Sequence, residues 1–249
     1  EVPLTAIVIR QLRWQVQSMT YFDSLSRFEP HAGANITFAN SGGLHLRRGA
    51  HMLAFGTATD SINFRPIAGH SFQGILLDNP GGDGGAFPAG PPTASSWLAF
   101  VNIDSTSGVS VSGGSFSSAG LNAGSRHQVT IEDSRFRRNR NGAIALQAPN
   151  SALTRVRVDT TGNPTTTIAA IQLEDSVSLQ DVDVFRSGQI GIYTVGKGIT
   201  FNNVTVRGSM HVGIYIDGDN ASGSQGLQLS GFVSSSSGVG GVSMAADFL

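Results

Sequence analysis

A small residue followed by alternating apolar residues recurs six times in the second half of this 249-residue chain. The copies read Gly-Leu-Asn-Ala from Gly120, Ala-Ile-Ala-Leu from Ala143, Ala-Ile-Gln-Leu from Ala170, Gly-Ile-Tyr-Thr from Gly191, Gly-Ile-Tyr-Ile from Gly213 and Gly-Val-Ser-Met from Gly241. Successive copies lie 23, 27, 21, 22 and 28 residues apart. Periods of this size mark stacked units, none of which can bury its apolar face alone.

Each copy is preceded by a second alternating stretch. It runs through Val129, Ile131 and Phe136, then Leu153, Val156 and Val158, then Leu179, Val182 and Val184, then Phe201, Val204 and Val206, and last Leu227, Leu229 and Phe232. Alternation with period 2 gives strands with one buried face. Two or three such strands fill a unit and leave no room for helices. The Leu-x-x-Leu-x-Leu-x-x-Asn signature of leucine-rich repeats is missing. The expected fold is therefore all-β: a right-handed parallel β-helix solenoid with coils of about 22–28 residues. Composition agrees. Charged residues make up only 13%, glycines number 32, and Lys197 is the only lysine, so the usual helix-forming polar residues are scarce.

The long spacings are accounted for by turn insertions at 160–167 and 217–224, both rich in Gly, Asn, Asp, Ser and Thr. The first half is less regular. Ile36–Phe38, Leu44–Leu46, Met52–Phe55, Ile62–Phe64 and Gly74–Leu77 read as short strands, and Trp97–Ile103 restarts the sheet after a Gly/Pro-rich loop at 79–96. Residues 1–30 alternate over Ile7, Ile9 and Leu12 and then lose the pattern, which predicts an incomplete coil or N-terminal cap before a β-helix over 31–249.

Several function classes are excluded or disfavoured. Without cysteine there is no disulfide framework, thiolate metal site or cysteine nucleophile. No apolar run is long enough to be a transmembrane helix, so membrane insertion is not expected. A net charge of −1 does not by itself call for nucleic acid. The abrupt start and finish suggest a piece of a longer chain or an oligomer component.

The stretch from Phe28 to Pro66, FEPHAGANITFANSGGLHLRRGAHMLAFGTATDSINFRP, resembles the opening coils of bacterial surface β-helix proteins. Phe72-Gln-Gly-Ile75 and Leu98–Ile103 stand where that family has a W-x-G-I strand and an L-x-y-v-x-I strand, with Phe72 replacing Trp. From Val129 onward the units are similar to the generic repeat of the pectin-lyase-like superfamily. The resemblance covers roughly residues 28 to 245 and implies the β-helix fold. It implies no single activity, because the superfamily spans polysaccharide lyases, glycoside hydrolases, epimerases, tailspikes and adhesins.

Aligning the repeats places Asp133, Arg155, Asp181 and Asn203 in one outward column and Arg135, Arg157, Asp183 and Thr205 in the next. Coils stack about 4.8 Å apart, so column members are neighbours. Charges of alternating sign can simply neutralise one another. The same carboxylates and guanidinium groups in a row suit hydroxyl and uronate recognition, with Arg135 and Arg155 as binding residues. A hydrolase needs two carboxyl groups about 5–9.5 Å apart, which Asp181 with Asp183, or Asp133 with Asp181, could supply. Uronate lyases of this fold pair an Arg or Lys base with acidic calcium ligands, a pattern that Asp133, Asp181 and Arg157 could imitate. The catalytic candidates are thus Asp133, Arg157, Asp181 and Asp183.

Arg135, Arg137, Arg138, Arg140, Arg155 and Arg157 form a basic run that could meet a polyanion, though Glu132, Asp133 and Asp159 lie close by. Tyr193 and Tyr215 hold equivalent positions in consecutive coils; outward they make an aromatic strip for sugars, and inward they are simply core. The six histidines lack ligand spacing, so no metal site is expected of them. Asp217, Asp219 and Asn220 form a turn that could hold Ca²⁺, the only cofactor suggested, but no Gly-then-Glu continuation follows and an ordinary Asx turn explains them better. The leading expectation is an extracellular or cell-surface module that binds a polysaccharide or cell-surface glycan, or acts as an adhesive or structural stalk, without chemistry of its own. The alternative is a polysaccharide lyase or glycoside hydrolase working on the outer face.

Overall fold

The computed structural model describes residues 7–9, 13–23, 26–47, 49–77, 94–109, 118–161, 169–174, 176–196 and 198–217, and the strands Gln228–Ser230, Val233–Ser235 and Gly240–Ala245. Every regular element among them is a strand, and every paired strand runs parallel to its partners. The strands form three ladders, each with nine rungs among the described residues. The chain is a parallel β-solenoid, as the repeat requires.

The first ladder runs from Ile7–Ile9 through Arg27–Pro30, His51–Phe55, Ala94–Ala99, His127–Glu132 and Ala152–Thr154. The second runs from Arg13–Val16 through Asn35–Phe38, Ile62–Pro66, Val101–Asp104, Arg135–Arg137 and Arg157–Thr161. Ser178–Ser187 and Thr200–Arg207 each serve both ladders. The third begins with Met19–Phe22 and Gly43–Leu46 and ends with Val212–Asp217 and Gly240–Ala245. The first thirty residues, expected to be an incomplete coil or cap, contribute a strand to every ladder. Trp14, for example, pairs with Ile36, and Ile7 with Phe28.

The lumen is filled by the residues that the alternation selects. Ile36, Phe64, Ile103, Phe136, Val158, Val184 and Val206 form one continuous register column, all of them buried. Each contributes about 1.5–3 kcal/mol by leaving water. The first coils are packed with aromatics, Phe38 stacking on Phe72 with centroids 4.3 Å apart, while later coils rely mainly on Val, Ile and Leu, with Phe136 and Phe201 among them.

The recurring small residue of the sequence is also a register column. Gly74, Gly120, Ala143, Ala170, Gly191, Gly213 and Gly241 stack at the entry to the third ladder. A Cβ at Gly191 would come within 2.4 Å of the Gly213 carbonyl oxygen, and one at Gly74 within 2.4 Å of the Gly120 oxygen. Just before this column lies a buried polar one: Thr106, Asn139, Thr161, Ser187 and Ser209. Thr106 Oγ1 donates to Asn139 Oδ1 at 2.8 Å, and Ser187 Oγ to Ser209 Oγ at 2.7 Å.

In the coils from Ala94 onward, bends between ladders are made by single residues in the left-handed region. Between the first and second ladders these are Phe100, Asp133, Arg155, Asp181 and Asn203, with φ of 48° to 54°. Between the second and third they are Ser105, Arg138 and Arg186. The amides stay paired through the bend: Asp133 N–H donates to Thr154 O, and Arg155 N–H to Gln180 O. Of the expected loop 79–96, Ala94 to Ser96 belong to a strand and the rest lies outside the described residues. The insertions begin later than expected, because Thr160, Thr161 and Asp217 are still in strands.

Candidate functional site

The outer face of the second ladder carries two columns of side chains. The first is Arg13, Asn35, Asn63, Asn102, Arg135, Arg157, Asp183 and Thr205. The sequence-aligned group Arg135, Arg157, Asp183 and Thr205 is therefore a real column in the expected order. The second is Gln15, Thr37, Arg65, Asp104, Arg137, Asp159, Phe185 and Arg207. Arg138 and Arg186 flank it at the corner. Eight arginines thus meet three aspartates on one face of a chain whose net charge is −1.

The middle of this face neutralises itself. Asp104, nearly buried, accepts from Arg138 Nε at 2.8 Å and also from Arg138 Nη2 and Arg137. Burial raises its pKa, but the Arg138 and Ser105 hydrogen bonds and the Arg137 charge outweigh that and leave it below the usual carboxylate value. Asp159 accepts from Arg135 at 3.2 Å and from Arg186 at 2.8 Å. Arg186 also lies over the Phe185 ring, 4.7 Å from its centroid. These acidic hubs were not singled out from sequence. Asp104 belongs to the irregular half, and Asp159 looked like a mere neighbour of the basic run.

The ends of the face differ. Arg13 and Arg65 at one end, and Arg157 and Arg207 at the other, make no ion pair among the described residues. Arg65 lines two cavities of about 420 and 590 Å³ that share Pro66, Ile67 and Ala68, and Arg13 lines the larger. Arg157, Asp183, Phe185, Thr205 and Arg207 line a third of about 210 Å³. All three open on this one face.

The other predicted column runs along the corner between the first and second ladders. Asp133, Arg155, Asp181 and Asn203 follow one another from coil to coil there, each in the left-handed region. Asp181 and Asn203 lie inside the long strands Ser178–Ser187 and Thr200–Arg207, whereas Asp133 and Arg155 fall between strands. Arg155 donates to both oxygens of Asp133, at 2.7 and 2.8 Å. That hydrogen bond, opposed by slight burial, lowers the Asp133 pKa, and Arg155 is correspondingly raised. Asp181 accepts from Asn203 Nδ2 at 2.6 Å. The four catalytic candidates are therefore divided: Asp133, with both oxygens held by Arg155, and Asp181, with one held by Asn203, stand on the corner, while Arg157 and Asp183 stand together at a cavity.

Tyr193 and Tyr215 are register neighbours on the outer side of the third ladder. Their rings stack on each other at 5.7 Å and 14°, so each spends one face on its partner. Tyr193 Oη donates to Asp217 at 2.7 Å. Burial, then that hydrogen bond, pushes the phenol well above its ordinary value. Asp219 and Asn220 of the possible Ca²⁺ turn lie outside the described residues. Among the described residues, no three His, Asp or Glu side chains gather closely enough to hold a metal ion.

No family model, curated protein or solved structure matches this chain. The solenoid is established by its strand pairing.

Proposed function

We propose that this chain is an extracellular or cell-surface β-helix of the pectin-lyase-like kind that binds carbohydrate along the outer face of its second ladder, as an adhesive or structural module. One observation carries the reading: three cavities open on the same face and are lined by guanidinium, amide and carboxylate groups. Such planar, multi-donor groups match sugar hydroxyls and carboxylates. The ladder fixes them on rigid strands, so little ordering entropy is lost on binding.

A glycan panel probed with the whole chain tests this. Retention of at least one glycan class, lost when Arg65 and Arg157 are both changed to Ala, is the expected result. Silence across neutral and acidic glycans overturns it. A second reading, a lyase or hydrolase, draws on Arg157 and Asp183 lining one cavity beside Thr205 and Arg207. Reducing ends or unsaturated uronate released from the same panel, and abolished by Asp183→Asn, would replace binding with catalysis.

A further inference from the structure

Among the described residues, the arginines of the second ladder that make no ion pair stand at two stations, and Asp183, in register with Arg157, lowers the net charge of the second. Arg13 and Arg65 occupy the first and third rungs, and Arg157 and Arg207 the sixth and eighth. Between them, Arg135, Arg137 and Arg138 are tied to Asp159 and Asp104. At about 4.8 Å per rung, Arg65 and Arg157 are roughly 14 Å apart along the axis, and Arg13 and Arg207 roughly 34 Å. A small anion can meet only one station. A linear one lying along the axis meets both.

We infer that the face is a two-station grip for an acidic polysaccharide running parallel to the solenoid axis, with the ion-paired middle serving as a spacer. This rests on the carbohydrate-binding reading and adds the charge class, direction and minimum length of the ligand. The arginines at each station can hold carboxylate or sulfate as a bidentate pair. The Asn35, Asn63 and Asn102 column lies beside the first station; each amide nitrogen makes one internal hydrogen bond, to Gly33 O, Ser61 O and Asn63 Oδ1, and has its second N–H to give to a hydroxyl. Single-stranded nucleic acid is the less suited polyanion. Its binding needs aromatic platforms, and on these two columns the only aromatic is Phe185, beneath Arg186.

The experiment titrates the whole chain with size-fractionated heparin oligosaccharides and, separately, galacturonate oligosaccharides. The two series distinguish sulfate from carboxylate. In at least one series affinity should rise by about 100-fold once the ligand is long enough to bridge the stations. The double variants Arg13→Ala/Arg65→Ala and Arg157→Ala/Arg207→Ala should each remove that step. Each should also lower the slope of log affinity against log salt by about two. Arg27→Ala, on the first ladder, removes one charge and should leave the step in place. Affinity independent of length, or a step lost in Arg27→Ala, overturns the grip. Single-stranded DNA bound as tightly as the oligosaccharides overturns the saccharide assignment. Binding of neutral glycans only would sink this inference and leave the carbohydrate reading standing, whereas silence with every glycan would end both.

Discussion

Replacing Gly191 by Ala tests the packing argument at its tightest point. Gly191 is not in the left-handed region, so the substitution carries no backbone penalty. The cost is steric. The new Cβ would lie 2.3 Å from Val206 Cγ1, 2.4 Å from the Gly213 oxygen and 2.9 Å from Ser209 Oγ. None of these yields easily. Val206 is fully buried, Gly213 belongs to the paired strand of the next coil, and Ser209 Oγ is already bonded to Ser187. Overpacking of this kind costs about 1–3 kcal/mol, offset by about 0.4–1 kcal/mol because Ala restricts the unfolded chain. A net loss of about 1–2 kcal/mol lowers Tm by roughly 2–8 °C in a chain of this size. Calorimetry or urea unfolding would measure it. The second variant is Val206→Ala, which removes the nearest atom, so the double variant should lose less than the sum of the singles. Gly191→Ala as stable as the parent, or more so, would refute the assignment of this column to a closed contact between coils.

Two further perturbations probe the core and the ion-paired face. Val182→Asp places a carboxylate in the lumen beside Val204 and should cost about 3–5 kcal/mol; an unchanged melting curve would mean the strand register is wrong. Asp104 titrates below its ordinary value, so its stabilisation is complete above the unfolded carboxylate pKa and is lost as pH falls through the lowered one. Asp104→Asn should therefore cost about 1–2 kcal/mol at neutral pH, and its gap from the parent should close in acid; a gap that stays constant with pH contradicts the ion-pair account.

The ladders were legible in the sequence because their cause is local and repeated. Ile192 and Ile214 alternate with Tyr193 and Tyr215, and a small residue opens each copy where the next coil's backbone comes close. The arginine column was legible for the same reason, since Arg135, Arg157, Asp183 and Thr205 each stand one residue before the core residues Phe136, Val158, Val184 and Val206. The corner was hidden. Asp and Asn tolerate the left-handed region, but Arg155 and Phe100 give no sign of it, so the bend reads as unbroken strand. The hubs were hidden too, because Asp104 meets Arg138 only through stacking across 34 residues of sequence.

The register columns pass unbroken from coil to coil, and each coil makes the same bonds to the one before as to the one after. A tandem duplication of some twenty residues would therefore splice into the stack without a new interface. Inserted between Arg65 and Arg157, it would widen the gap between the stations by one rung, about 4.8 Å. The reach of this face is thus a quantity that gene duplication can change in whole steps, while the core chemistry stays the same.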